Sequence, residues 1–362
     1  MTERMRVLMT TDAVGGVWRY ALDTARGLTG RGIEVALVGL GPAPDGVQRE
    51  EARRNGIALD WLDVGLDWTA NGPNEVQVSG RALNAWIAGR RAEILHINSP
   101  ALIPFLDPGL PRLAATHSCL ATWWATVKSE PLPEAWHWHR RLAWSGLAMA
   151  ERAIAPSRAF AWLTQSVYGA LPHLDCIPNA CEPVAPKGKG EFVLSAGRWW
   201  DEGKNFAALD EAAASSDWPV LAAGPLEGPE GQVVRARNLR WLGLLPAAEM
   251  RAWMARAPIF TSLSVYEPFG LAVLEAASAG AALVLADIPT FRELWEGRAI
   301  FVDPHDPAAA ARAFNRLSGD AGLRAHLGQA AAEHAGRYSL DAQARALASA
   351  YEGVLMHDRE AV

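Results

Sequence analysis

Two glutamates, Glu267 and Glu275, stand eight positions apart around a Pro268-Phe269-Gly270 turn, after an apolar run at 259–261 and at the entrance to an apolar helix. Pro suits the first turn of a helix and Gly lets a ligand approach the backbone, so the N–H groups near Phe269, Gly270 and Leu271 form an anion site. Counted along a helix at about 1.5 Å per residue, the two carboxylates are about 12 Å apart. That is too far to share a proton and suits holding two parts of one long ligand, such as a nucleotide sugar. Upstream, Arg198 and Lys204 lie in a loop after an apolar run that ends at Ala196, where both can bind phosphate oxygens through charge-assisted bonds. A solvated surface pair is the plainer alternative for these two, and helix N-capping is the plainer one for Glu267. Glu275 sits inside an apolar helix, where a carboxylate needs a hydroxyl or basic partner. No Asp-x-Asp occurs in the chain, so no metal ion is expected and cationic side chains would take its place.

The elements that must position these groups alternate. Apolar runs at 6–10, 34–40, 57–62, 94–97, 113–116 and 153–155 are separated by helical stretches such as 76–90 and 159–168. A Pro-, Gly- and Lys-rich break at 183–190 reads as a linker. Beyond it a second series of strands is expected near 192–196, 220–223, 239–241, 259–261, 283–286 and 300–302, again alternating with helices. The chain is therefore read as α/β, with two Rossmann-like, doubly wound parallel-sheet domains. Ligands of such sheets bind beyond the carboxyl ends of the strands, which implies a central cleft that the two domains face. The expected division is 1–182, a linker at 183–190, 191–339, and a last helix in 340–362 with no strand to follow it. No G-x-G-x-x-G follows a strand, which argues against a nicotinamide dehydrogenase.

The 362 residues carry a net charge of -6, which argues against a general nucleic-acid partner. No apolar run is long enough to span a bilayer and the first residues lack a leader-like stretch, so a cytoplasmic location is expected. Cys119, Cys176 and Cys181 show neither disulfide nor zinc spacing and read as reduced packing residues. Trp is over-used, with 16 residues, and Trp123, Trp124, Trp136, Trp138 and Trp144 lie close together beside Lys128, Arg140 and Arg141. Their rings suit core filling, stacking on a sugar or apolar acceptor, or peripheral contact with a membrane.

The Glu267–Glu275 spacing with its Phe-Gly-Leu interior resembles the E-x7-E signature of glycosyltransferase family 4, retaining enzymes of GT-B fold. Gly15-Gly16-Val17 with Arg19-Tyr20, Ala155-Pro156-Ser157, Ile177-Pro178-Asn179-Ala180, Gly197-Arg198 with Lys204-Asn205, Ala279-Gly280 through Asp287, and Phe301-Val302-Asp303-Pro304 are similar to further family landmarks in the same order. The resemblance implies a metal-independent, retaining hexosyltransferase that needs no cofactor beyond a UDP-, GDP- or ADP-sugar donor, acting on a sugar, lipid-linked or small-molecule acceptor. It assigns Arg198 and Lys204 to the diphosphate, Glu267 to donor-sugar hydroxyls and Glu275 to the ribose. The backbone of Phe269, Gly270 and Leu271 would meet sugar and phosphate, Gly16 the donor phosphate, and His117 the donor sugar near its reacting carbon. It also implies that the last helix crosses back to the first domain. Plain turn and structural roles are the alternatives for Gly16 and His117; His96 and Asn98 could face the same cleft or support it. Asp12 either binds an acceptor hydroxyl or forms a turn, and Trp123 and Trp124 are the acceptor-stacking candidates. Two positions depart from the family, Ile288-Pro289 in place of a common Gly-Gly and the inserted rings Trp199-Trp200. A GT-B sugar-nucleotide epimerase and a non-catalytic nucleotide-sugar binding protein are the alternatives to transfer.

Overall fold

The structure is a computed structural model that describes residues 4–361 except 129 and 230, with the side chains of 357–361 left out. The first three residues, part of the leader reading above, lie outside the described residues. Among those described, β-branched and aliphatic runs form two all-parallel sheets. The first contains β1 (Arg6–Thr11), β2 (Glu34–Gly39), β3 (Ala58–Trp61), β4 (Ile94–Ile97), β5 (Arg112–Ala115), β6 (Arg152–Ala155) and β7 (Leu174–Cys176) in the order β3-β2-β1-β4-β5-β6-β7. The second contains β8 (Val193–Ala196), β9 (Val220–Ala223), β10 (Arg240–Gly243), β11 (Ile259–Ser262), β12 (Ala282–Ala286) and β13 (Ala299–Val302) in the order β10-β9-β8-β11-β12-β13. Each is doubly wound, so the expected fold class is the observed one. The strand β7 was not expected, because Leu-Asp-Cys is too short to show a period.

In each sheet the chain order reverses at one place, between β1 and β4 and between β8 and β11, where Met9 pairs with His96 and Phe260 with Leu194. Neighbouring strands there send their following loops in opposite directions, leaving a crevice at their carboxyl ends. The loops after β1 and β4 begin with Asp12 and Asn98, and those after β8 and β11 contain Arg198 and Glu267. Topology alone thus puts the candidate residues of each unit beside its crevice.

The chain divides into one unit of Met1–Ala180 with Leu340–Val362 and a second of Cys181–Ser339. The segment 183–190 belongs to the second unit. The Lys189 ammonium donates to the carbonyls of Ala257 (2.9 Å) and Ala279 (2.7 Å), the Lys187 N–H to that of Ala255 (2.9 Å), and Val184 is buried in the core. Burial pushes the Lys189 pKa down to about 8. Its Pro, Gly and Lys content looks like a connector, yet the Lys189 head is held by two carbonyls.

The last helix, Leu340–Ala361, packs on the first unit. Ala344, Leu347, Ala350 and Tyr351 are buried in one cluster with Trp18, Ala21, Leu22, Ala25 and Leu28 of the helix Gly16–Thr29. Polar pairs add register: the Thr24 hydroxyl donates to Gln343 Oε1 at 3.3 Å, and Gln343 Nε2 donates to the Pro178 carbonyl at 3.3 Å.

Candidate functional site

In the second unit the loop after β8 is built around buried contacts. Trp199 is buried, donates from Nε1 to the Ala223 carbonyl (2.9 Å) and packs on Phe206 with ring centres 5.6 Å apart. The first of the two inserted rings is therefore a core residue that anchors the loop. Trp200 is half-buried and lies 5.6 Å below the Arg198 guanidinium, which is otherwise 3.7 Å from Asp201. Asn205 adopts the left-handed conformation (φ 55°), and its Nδ2 donates to the Leu263 (3.0 Å) and Pro304 (2.8 Å) carbonyls. The Gly203 carbonyl accepts from the N–H of Val265 at 2.9 Å. These bonds hold the β8 and β11 loops together and bring Lys204 Nζ to 2.6 Å from Glu267 Oε2, with exposures of 17% and 16%. Spacing 63 positions apart in sequence gave no hint of this ion pair.

One glycine fixes the other side of the loop. Gly224 follows β9 at φ +123°, and a Cβ there would lie 2.0 Å from the Gly197 carbonyl oxygen. Backbone cannot yield as a flexible side chain does, so Gly224→Ala is expected to destabilise by about 2–3 kcal/mol and to displace the Arg198 loop. A urea titration showing less than about 0.5 kcal/mol change would contradict this.

The helix expected to open at Pro268 begins later. It spans Leu271–Ser278, with Gly270 at its N-cap in the left-handed conformation (φ 91°, ψ 62°) and no side chain capping it. Glu267 thus precedes the helix and is not its cap, and the 12 Å helical spacing does not apply between Glu267 and Glu275. Only the step from Leu271 to Glu275 is helical. A Cβ on Gly270 would come within 3.0 Å of the Phe291 ring, so backbone freedom and space both call for Gly there. The Phe269 side chain is buried, edge-on to Tyr338 (5.7 Å). Only its backbone can serve a ligand. Leu271 and Glu275 are half-buried, and the Glu275 carbonyl accepts from Ser278 Oγ at 2.7 Å. The N-terminal N–H groups of this helix, Lys204 and Arg198 together favour an anion, and Glu267 beside them can accept from hydroxyls.

In the first unit Asp12 Oδ1 accepts from the Val14 N–H at 2.8 Å, forming the turn that leads to Gly15 and to Gly16, first residue of its helix. That helix N-terminus also has no side-chain cap. After β4, Asn98 Nδ2 donates to the Thr10 carbonyl (2.6 Å), which fixes the amide so that Oδ1 faces His117 Nε2 at 2.8 Å. Nε2 therefore carries the proton and donates. Neutral His117 is left with an acceptor lone pair on Nδ1, suited to a hydroxyl. Behind it, the Tyr20 ring meets His117 edge-on at 4.3 Å and its hydroxyl lies 3.3 Å from His96 Nε2, while His96 Nδ1 lies 2.7 Å from the Tyr351 hydroxyl of the last helix. Tyr351 was not singled out in the sequence, because a contact across 255 positions leaves no local pattern.

Burial pushes the pKa of His117 down to about 4 and, with the neighbouring His117 charge, that of His96 down to about 3. The folded state then refuses protons that the unfolded chain binds, so stability falls as pH drops from about 6.5 towards 4 and on to 3. A urea midpoint that declines across this window, less steeply in His117→Asn, is the expected result; identical profiles for both proteins would contradict it.

Trp123 and Trp124 are half-buried on the helix Leu120–Val127, with the Lys128 ammonium 5.7 and 5.9 Å from their rings. The more exposed ring of the set is Trp144 at 46%. No disulfide joins the three cysteines. Among the described residues no three His, Cys, Asp or Glu side chains gather as a metal site, and no helix is long and apolar enough to cross a membrane.

The family models for Glycosyltransferase Family 4 and for Glycosyl transferases group 1 match residues 14–183 and 182–334. The chain belongs to the GT-B glycosyltransferases of the family 4 type. A D-inositol 3-phosphate glycosyltransferase of Streptomyces bingchenggensis is 36% identical over 107 residues, 28% of this chain and 23% of that protein. The chain thus spans only about a quarter of the length of this curated relative. Among solved structures, sucrose-phosphate synthase from Thermosynechococcus elongatus superposes with TM-score 0.81 at 16% identity, covering 98% of this chain and 100% of that one. Anabaena Alr3699/HepE in complex with UDP and glucose superposes with TM-score 0.74 at 16% identity, covering 96% and 99%. For the family 4 chain these likenesses establish the GT-B fold.

Proposed function

We propose that the protein transfers a hexose from a nucleotide-diphosphate sugar to a sugar, lipid-linked or small-molecule acceptor, with retention and without a metal ion. The observation that carries this reading is the Lys204–Glu267 pair beside the uncapped helix N-terminus at Gly270, at the β8/β11 crevice. A cation, a carboxylate and free N–H groups in one crevice fit a diphosphate and the hydroxyls of its sugar. The UDP and glucose named for HepE and the family membership support the same class of donor. In this reading Lys204 exchanges its carboxylate for a phosphate oxygen when donor binds, and Glu267 turns to sugar hydroxyls. Arg198 adds charge to the leaving diphosphate, Phe269, Gly270 and Leu271 contribute backbone contacts, and Glu275 binds the ribose. From the first unit, Gly16 contacts donor phosphate and His117 Nδ1 accepts from a sugar hydroxyl. Asp12, Trp123 and Trp124 serve the acceptor.

The acceptor oxygen attacks the anomeric carbon on the face from which the diphosphate departs. The carbon–oxygen bond to phosphate breaks, and the acceptor proton passes to a phosphate oxygen. No protein nucleophile takes part, in contrast to retaining hydrolases, whose paired carboxylates stand about 5–5.5 Å apart. Nucleoside diphosphate release should require acceptor, persist in EDTA, and yield a product whose anomeric configuration, read by proton coupling, matches the donor. Inversion, or full reversible loss in chelator, would refute the mechanism. Donor turnover without acceptor would identify an epimerase, and tight binding without turnover a binding protein.

A further inference from the structure

The first unit carries a pocket of about 290 Å³ lined by His137, Arg140, Arg141, Trp144 and Tyr168, none of them a residue assigned above to the donor. His137, Arg140, Arg141 and Trp144 follow one another at helical spacing on the helix His137–Met149, so they share one face. The opposite wall is the last turn of the helix Arg158–Tyr168. Its Val167 carbonyl accepts from Arg140 Nη2 at 2.7 Å, and its Tyr168 hydroxyl is held 3.1 Å from Cys119 Sγ. Both the guanidinium and the phenol ring are thereby oriented before any ligand arrives.

Among the described residues neither Arg140 nor Arg141 has an ion-pair partner, although the chain has net charge -6 and pairs many of its other arginines, among them Arg19, Arg53, Arg152 and Arg292. Both guanidiniums line the one pocket, so an anion bound there can accept charge-assisted bonds from them. The same pocket leaves Trp144 46% exposed. An indole face beside a double cation suits a ligand whose anionic head adjoins an apolar body.

We propose that this pocket binds the phosphate of an apolar phosphate ester, with the head between Arg140 and Arg141 and the body on Trp144. The site is separate from the donor reading and stands whether or not that reading holds. The test is equilibrium binding of geranyl phosphate to the full chain in EDTA, beside geraniol, inorganic phosphate and phosphatidylglycerol vesicles. Geranyl phosphate should bind at least about tenfold more tightly than geraniol or phosphate, a difference of about 1.4 kcal/mol. Arg141→Gln should lose about tenfold or more for geranyl phosphate. Trp144→Ala should reduce it towards the affinity of inorganic phosphate, and Lys204→Ala should leave it unchanged. Equal binding of geraniol, an unaffected Arg141→Gln, or loss in Lys204→Ala, which would put the ester in the donor crevice, each overturns the proposal. Binding to anionic vesicles with none to the soluble ester also overturns it, in favour of general adsorption to a charged surface.

Discussion

Lys204→Ala is expected to lower turnover by about 10²–10³-fold, the usual loss when one preorganised charge donor is removed from a leaving group. The structure adds a second reason. Lys204 Nζ sits 2.6 Å from Glu267, so its removal leaves a mostly buried carboxylate unpaired at the place proposed for phosphate. The double variant Lys204→Ala, Glu267→Gln should recover the diphosphate affinity lost to that stray charge, while turnover stays low because the stabilisation of the leaving group is still missing. Diphosphate affinity and steady-state turnover, measured on the three proteins, separate the two contributions. A single variant within about threefold of wild type would show that Lys204 does not touch the leaving group.

The two glutamates should respond in opposite ways. Glu275→Ala is expected to weaken free nucleoside diphosphate by about tenfold or more, the cost of losing a hydrogen bond from a carboxylate to a ribose hydroxyl. Glu267→Ala should leave that affinity unchanged or improve it, because it frees Lys204 and removes a negative charge beside the phosphate, yet turnover should fall by about tenfold to a hundredfold. Calorimetric titration with the diphosphate, followed by rates at saturating donor, reads both. Equal losses of diphosphate affinity in the two variants would show that the carboxylates do not hold different ends of the ligand.

Most of the architecture was legible because buried parallel strands are short apolar runs, and twelve of those expected are present at nearly the expected places. What the sequence hid has physical causes. The helix after Gly270 starts three residues past Pro268 because Gly270 takes a left-handed turn, and a Pro-Phe-Gly string does not say which of its members caps. Trp199 stood out only as an inserted ring in the basic loop, whereas a buried N–H that reaches the Ala223 carbonyl makes it the anchor. The Lys204–Glu267 pair joins the loops after β8 and β11 at a sheet reversal, the Asn98–His117 bond joins the loops after the neighbouring strands β4 and β5, and only strand order brings such loops together. Motif spacing nominated the candidate residues but not their electrostatic partners.

The central claim is a metal-free nucleotide-sugar site in the second unit, and its most direct measurement is a thermal-shift panel of UDP-, GDP- and ADP-sugars in EDTA on wild type and Glu275→Ala. One base should stabilise the wild type, by about 2.7 kcal/mol at a hundred times its Kd, and that gain should shrink in the variant. Absence of any shift in wild type, a shift that needs a divalent cation, or one that Glu275→Ala leaves whole would contradict the account.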